Sequence, residues 1–522
     1  MADDVDEVVE GRRVICDGQY GTVKFFGTVP PATGLWYGIE WDDDGRGKHS
    51  GEHEGVKYFE CSRPGSGSFA RASKLEFGVS YVEALMSKFN DLHHREETED
   101  LEFFYCIGEE KLQGVEDKLK QLKHANLRLT NLSKAGNEKS LGNITPNIVE
   151  LDLSKTLLSD WREVLKIVEV LPQLTKLDVS ETRLNVSKRP DVDGHPAGDV
   201  KLPLKTLVVN KTNMDWQQVL AISSSFGNLE ELYVCFNKIQ HLKGGDLKHL
   251  AKLRKLNLEG NDLSDWNDIL SLQVLTFLES LVLNDTKLNI VSFPGDVSEA
   301  SDVFSNLKSL SLSKTMISNW SSINQMNRLL SLRKLTFKRC PLVKDIPEYE
   351  ARQELIARLA KSSKLNQSDV TVKERQAAER AYLKKYGKEW LAAGGSRENL
   401  EGKVDVGFKV KQPRYLSLLK THDVPEVLGA MTSLGSALKD NLVVVTIACV
   451  NDPEKKPVIK KLPRTLTISK LKGMMQRLFK VPSVRQMLSY VDQTGREIEM
   501  DDDLRPLSFY SLESGDTINV RW

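Results

Sequence analysis

The chain has 522 residues, 40% of them hydrophobic and 28% charged, with 73 Lys and Arg balanced by 73 Asp and Glu. One hydrophobic core rarely grows beyond roughly 250–300 residues, so several domains are expected. A formal charge of zero speaks against a general nucleic-acid or anionic-membrane binder, and no apolar run approaches the ~18 residues of a membrane span.

The six cysteines (Cys16, Cys61, Cys106, Cys235, Cys340 and Cys449) are scattered with no C-x-x-C pair. That pattern reads as reduced thiols in a cytosolic protein. The opening run MADDVDE is acidic and carries no apolar stretch, which argues against a secretory signal. The sequon at Asn143 then carries no meaning.

Residues 1–80 form the first expected domain. Strand-like runs at residues 12–16, 21–26, 36–41 and 56–60 are bounded by Gly, Pro or Asp, and glycines crowd the bends. These features predict a small twisted β-barrel with tight turns and close backbone approach to a ligand. The runs GTVKFFG (21–27), GLWYGIEW (34–41), GKHSG (47–51), VKYF (56–59) and FAR (69–71) together resemble a CAP-Gly domain. Its hallmark G-K-N-D-G appears with His49 and Ser50 in place of Asn and Asp, while Lys48 and Gly51 remain.

The CAP-Gly resemblance implies binding of an acidic C-terminal tail ending in an aromatic residue, as in α-tubulin. Phe25, Trp36, Phe59 and Phe69 then line an apolar slot, with Lys48, His49, Ser50, Gly51 and Arg71 around it. Lys48 pairs with a carboxylate, and His49 still donates a hydrogen bond. The competing reading is that Trp36 and Phe59 are simply core. His49, His53 and Cys61 have poor ligand spacing and no fourth partner, so no metal is expected.

Residues 81–145 read as a helical connection and cap, and residues 146–342 as a solenoid. The phrase L-x-x-L-x-L recurs eight times, marked by Leu151, Leu177, Leu207, Leu232, Leu256, Leu281, Leu310 and Leu335. The steps between these markers are 26, 30, 25, 24, 25, 29 and 25 residues. Phrase and period together are the signature of leucine-rich repeats, which present a concave strand surface to a protein partner.

Trp161, Trp216, Trp266 and Trp320 recur nine or ten residues after alternate markers, three of them directly after an Asp. A residue fixed in alternate repeats is read as packing. The outward strand positions are Glu150, Asp152, Lys176, Asp178, Thr206, Val208, Glu231, Tyr233, Lys255, Asn257, Ser280 and Val282. The partner surface so formed is read as Lys176, Asp178, Tyr233, Phe236, Lys255 and Asn257. Tyr233 and Phe236 stand out as exposed-aromatic candidates of the hot-spot type. Residues 185–201 lengthen one repeat and read as a surface loop.

Residues 343–440 read as a helical segment and linker, with helices over 349–361 and 372–393 closed by Gly394 and Gly395. Residues 396–440 are expected to be a partly ordered connection. From residue 441 onward, strands at 443–447, 458–462, 486–491 and 517–522 surround a helix at 469–480. This β-β-α-β order with a late strand resembles a ubiquitin-like domain. Its many lysines precede the acidic run 501–503, which reads as a solvated face, with attraction of an acidic partner as the alternative.

The expected fold is therefore multidomain: a small β-barrel, an α/β leucine-rich-repeat solenoid and an α+β β-grasp domain. The order CAP-Gly, leucine-rich repeats, ubiquitin-like domain resembles the tubulin-folding cofactor E family over nearly the whole chain. The resemblance implies a cytoplasmic, cytoskeleton-associated chaperone that binds α-tubulin. It implies partnership with tubulin cofactors B, C and D, assembly or dissociation of the αβ heterodimer, and proteasome contact through the last domain. The alternative is a microtubule-end or ubiquitin-pathway adaptor that leaves the dimer intact. An enzyme finds no support, since neither G-x-x-x-x-G-K-[ST] nor G-x-S-x-G occurs. No cofactor, nucleic acid or membrane is expected.

Overall fold

A computed structural model describes residues 10–522 except 44, 94–118, 137–143, 187–201, 298–299, 397–403, 423–441, 453, 493–494 and 511. Asn143, Cys106 and most of the expected loop at 185–201 lie outside the described residues. The chain divides into two compact units. The first comprises residues 1–295, 300–319 and 329–341; the second comprises 296–299, 320–328 and 342–522.

The first unit begins with β1 (Arg13–Cys16), β2 (Gln19–Val29), β3 (Ala32–Trp41), the hairpin β4 (Glu52–His53) and β5 (Val56–Lys57), and β6 (Gly67–Ala70). An antiparallel sheet runs in the order β1-β2-β3-β6. Strand alternation sends Ile39, Trp41 and Ala70 to one face, where they pack with Val14, Cys16, Val23 and Leu75. Trp36, Gly38 and Phe69 consequently point to the other. The strand expected over 56–60 stops at Lys57, because the N–H groups of Tyr58 and Phe59 turn to the Gly51 carbonyl.

Beyond this sheet, β7 (Val79–Ser80) leads into α1 (Tyr81–His93). The solenoid then opens with β8 (His124–Asn126) and β9 (Leu132–Lys134), and β7 pairs in parallel with β9.

Eight repeat strands follow: β10 (Glu150–Asp152), β11 (Lys176–Asp178), β12 (Thr206–Val208), β13 (Glu231–Tyr233), β14 (Lys255–Asn257), β15 (Ser280–Val282), β16 (Ser309–Ser311) and β17 (Lys334–Thr336). They form a parallel sheet in which each marker leucine sits beside the next. All eight markers are 0–1% exposed. Burial on this scale, ~1.5–3 kcal/mol per leucine, fixes the register, because a one-residue slip would turn every marker outward.

Two further positions repeat. The residue four after each marker (Lys155, Glu181, Lys211, Phe236, Gly260, Asp285, Lys314 and Arg339) has positive φ and turns the chain out of the strand. The residue five after each marker is buried and polar or sulfhydryl: Thr156, Thr182, Thr212, Asn237, Asn261, Thr286, Thr315 and Cys340. These side chains take up carbonyls of the turn, as Thr156 does at Leu153 (2.9 Å) and Asn261 at Leu258 (2.9 Å). Satisfying buried backbone groups in this way permits so tight a turn.

On the outer side lie α2 (Trp161–Glu169), α3 (Trp216–Ser223) and α4 (Trp266–Leu270). The recurrent Asp is the N-cap in each: Asp160 accepts from Arg162 N–H, Asp215 from Gln218 N–H and Asp265 from Asn267 N–H. Trp161, Trp216 and Trp266 follow at the first helical position, 2–6% exposed. The recurrence thus combines a cap with a core residue.

In the second unit, α5 (Trp320–Met326) precedes α6 (Glu348–Arg358) and α7 (Val372–Ala392). Residues 406–421, expected within a partly ordered connection, instead form α8 (Val406–Lys411) and α9 (Tyr415–Thr421). Phe408, Tyr415, Leu418 and Leu419 from these helices bury against Tyr382, Leu383 and Trp390 of α7. Amphipathic helices this short show too few turns for their period to stand out in the sequence.

The last domain contains β18 (Leu442–Cys449), β19 (Val458–Pro463), α10 (Ile468–Phe479), β20 (Met487–Val491), β21 (Glu497–Glu499) and β22 (Thr517–Arg521). Its sheet order is β19-β18-β22-β20-β21, with β18 and β22 parallel. Ile468, Leu471, Met475 and Phe479 of α10 pack onto Val443, Val445, Ile447 and Ile518. This is the β-grasp arrangement.

Candidate protein-binding surfaces

The face of the first sheet opposite its core carries an aromatic cluster centred on Phe69. Around that ring stand Phe25 (centroids 6.2 Å apart), Tyr58 (5.5 Å), Phe59 (5.5 Å), His49 (5.1 Å) and His53 (6.2 Å). Gly38 lies between β2 and β6, and a Cβ there would sit 2.4 Å from the Phe59 ring. The glycine lets Phe59 drop onto the sheet, where it is 7% exposed. Phe59 is thus the floor of the cluster, while Phe25, Tyr58 and Phe69 remain half-buried.

Trp36 lies further along β3. The Arg71 guanidinium stacks on its ring at 3.7 Å and donates to the carbonyls of Leu35, at 3.0 Å, and Thr33. Arg71 thereby clamps the β2–β3 turn and holds Trp36 half-buried, with the neighbouring Leu35 exposed.

The GKHSG turn borders the cluster. Lys48 bonds through its backbone to Gly67 (2.8 Å) and leaves its side chain exposed. His49 Nδ1 accepts the N–H of Gly51 at 3.0 Å, so the ring proton resides on Nε2 and that nitrogen is a donor. Burial, followed by the nearby His53, pulls the His49 imidazole below its ordinary value. Ser50 Oγ accepts the N–H of Gly65 (3.0 Å), tying the turn to the loop before β6. Gly47 and Gly51 have no room for a side chain: a Cβ would meet Gly65 O at 1.9 Å or Phe59 O at 2.0 Å.

Phe25, Trp36, Lys48, His49, Ser50, Gly51, Phe59, Phe69 and Arg71 therefore share one face or its rim. Sequence reasoning missed Tyr58 and His53. Tyr58 stands in the VKYF run already singled out, and only the turn taken by its N–H shows where its ring goes.

The solenoid candidates fall into two places. On the strands, Tyr233 O–H donates to Glu231 (2.6 Å) and accepts from Lys255 Nζ (2.6 Å). Burial and Glu231 raise the Tyr233 phenol above its ordinary value. Lys176 pairs with Glu150 (3.0 Å), and burial pushes the Asp178 carboxyl up. Asn257 Oδ1 accepts the N–H of Glu259 (3.1 Å).

Phe236 is not on the strand surface. It occupies the positive-φ turn after β13, 44% exposed, with its ring where a Cβ on Gly260 would lie. The three-residue strand ends before it. Tyr233 proves half-buried rather than exposed.

Among the described residues no group of three or more His, Cys, Asp and Glu is placed to hold a metal, and no helix is long and apolar enough to cross a membrane.

A small β-sheet domain with an aromatic face bordered by Lys48, a parallel-strand solenoid and a β-grasp domain define a three-part multidomain protein. Family models match in the same order: a CAP-Gly domain at residues 10–75, a leucine rich repeat at 204–263 and a ubiquitin-like domain at 442–521. The tubulin-specific chaperone E of Xenopus laevis is 38% identical over 98% of both chains. That of Homo sapiens is 36% identical over the full length of both. The chain belongs to the tubulin-specific chaperone E family. Among solved structures, the C-terminal ubiquitin-like domain of mouse tubulin-specific chaperone e is 46% identical, covering 17% of this chain and 93% of that one, with a TM-score of 0.16.

Proposed function

We propose that this chain is a tubulin chaperone that captures α-tubulin at two places and, with other tubulin cofactors, assembles or dissociates the αβ heterodimer. The aromatic face around Phe69 takes the acidic, aromatic-ended α-tubulin tail. Phe25, Phe69 and Tyr58 accept the terminal ring, and Lys48 pairs with a carboxylate. His49 Nε2–H supplies a further donor. The strand surface around Tyr233 and Lys255 grips the folded body.

The observation that carries this reading is the exposed Lys48 beside an aromatic cluster on the face turned from the core. Two weak handholds raise avidity by ~10²–10⁴ over either alone. Binding energy gathered in this way competes with the intradimer interface. Tubulin cofactors B, C and D are the proposed partners in the cytoplasm, close to the cytoskeleton, and the ubiquitin-like domain is the proposed contact for the proteasome.

The test is incubation of intact αβ-tubulin with the full chain and the partner cofactors, followed by size separation. Release of monomeric subunits supports remodelling. Stable binding with the dimer intact would favour a microtubule-end or ubiquitin-pathway adaptor instead.

A further inference from the structure

Asp42, at the end of β3, is shared between two domains of the first unit. Arg13 Nη1 donates to its Oδ1 at 2.8 Å, Arg13 Nη2 donates to its Oδ2, and Arg183 Nε of the solenoid lies 3.4 Å from its Oδ1. Two further contacts flank it. Lys155 Nζ of the solenoid lies 5.9 Å from the centre of the Tyr20 ring, and Asn131 Nδ2 donates to Glu76 Oε2 at 2.8 Å.

The backbone joins the same seam. The N–H of Val79 donates to Asn131 O at 2.8 Å within the β7–β9 pair. Gly78, at φ +87, lets the chain pass so close that a Cβ would stand 2.3 Å from Asn131 O.

Lys155 and Arg183 belong to the turns that leave β10 and β11, so the small domain rests on the turn edge and off the strand surface. Among the described residues, the side-chain hydrogen bonds and ring contacts of Phe25, Trp36, His49, Tyr58, Phe69 and Arg71 stay within residues 25–71. None of the dock contacts named above uses a residue of the aromatic face or of the Tyr233–Lys255 pair.

We propose that Asp42 and Arg183, with Lys155 and Asn131, are positioning residues that hold the CAP-Gly domain rigidly on the solenoid. They fix the separation of the two handholds so that one tubulin molecule meets both. This rests on the two-handhold reading above. Once the tail is bound, the folded body is presented to the solenoid at an effective concentration set by a fixed span, not by a swinging linker. A single half-exposed ion pair contributes little; the seam works through several contacts together.

The experiment uses the full chain with donor and acceptor dyes on unnatural residues at Thr28 and Lys248, both exposed. Energy transfer is read in the parent protein and in the variant Arg183→Glu/Lys155→Glu/Asn131→Ala. The parent is expected to give one narrow distance and the variant a broad one. The tail peptide should bind both within twofold, while affinity for whole αβ-tubulin falls at least tenfold in the variant. A broad distance in the parent would overturn the dock. A narrow parent distance with unchanged tubulin affinity in a broadened variant would overturn its role in capture. Failure of the parent to bind tail or tubulin would remove the two-handhold reading itself, while the distance would still report the dock.

Discussion

His49 and Gly51 lock the GKHSG turn from within: Nδ1 of the imidazole accepts the Gly51 N–H at 3.0 Å. Protonation would place a second donor against that N–H and break the bond. The ring is held below its ordinary value of 6.5 by burial and then by His53, so folding favours the neutral form. The stability it contributes is fully present above 6.5 and is lost as pH falls from there toward the lower folded value. Lys48 and Glu52 are the other charges that act on it. The amide protection factor of Gly51 should fall between pH 7.5 and 5.5. His49→Asn should flatten that dependence, and His53→Gln, which removes one cause of the lowering, should move it to higher pH.

Gly51 carries a backbone requirement as well. At φ +105, with Phe59 O where its Cβ would be, Gly51→Ala combines strain with a backbone clash. Strain of this kind costs about 1–3 kcal/mol, and the clash adds to it. Hydrogen exchange across β1–β3 in the full chain should accelerate by at least tenfold. Gly45→Ala, whose Cβ would meet only the Asp43 carboxylate at 3.4 Å, should leave it nearly unchanged.

In the second unit, Arg358 is 2% exposed and donates to Glu354, Asn324 and Gln412 at 2.8–2.9 Å. Among the described residues, Arg358→Met leaves the buried Glu354 with Lys385 and the Tyr386 hydroxyl as partners. Losing one partner of a buried pair costs about 3–5 kcal/mol. Replacing both, as Glu354→Leu/Arg358→Met, should cost less than the sum of the single changes. Denaturant unfolding followed by exchange within α6 and α7 reads the cycle.

Asp215 forms a full capping box with Gln218. Asp215→Ala should destabilise α3 by about 1 kcal/mol, seen as faster exchange over Trp216–Ser223 with distant repeats unaffected.

Much of this architecture was legible in the sequence, because its signals are periodic. Eight marker leucines at steps near 25 residues need no tertiary information, since each repeat buries the same position against its neighbour. The polar residue five places after each marker was not read, because Thr, Asn and Cys share only small size and the ability to bond a nearby carbonyl. Nor was the positive-φ position, which Lys, Glu, Phe, Gly, Asp and Arg all occupy. Phe236 is exposed as expected but stands on that turn and not on the strand, because its place depends on where a three-residue strand ends.

In the aromatic face, glycine spacing marked the turn, but the exchange of Tyr58 from strand to turn depends on a bond to Gly51 O. The Asp42–Arg183 contact joins residues far apart in the chain and leaves no local pattern. Family resemblance likewise says nothing of His49 bonding Gly51, since the hallmark motif has Asn there.

The most direct test of tail capture is calorimetric titration of the full chain with an α-tubulin tail peptide, with and without its terminal aromatic residue. The account predicts binding that is lost when that residue is removed and weakened at least tenfold by Lys48→Ala or Phe69→Ala. Equal affinity for both peptides, or binding that survives both substitutions, would contradict capture by the aromatic face.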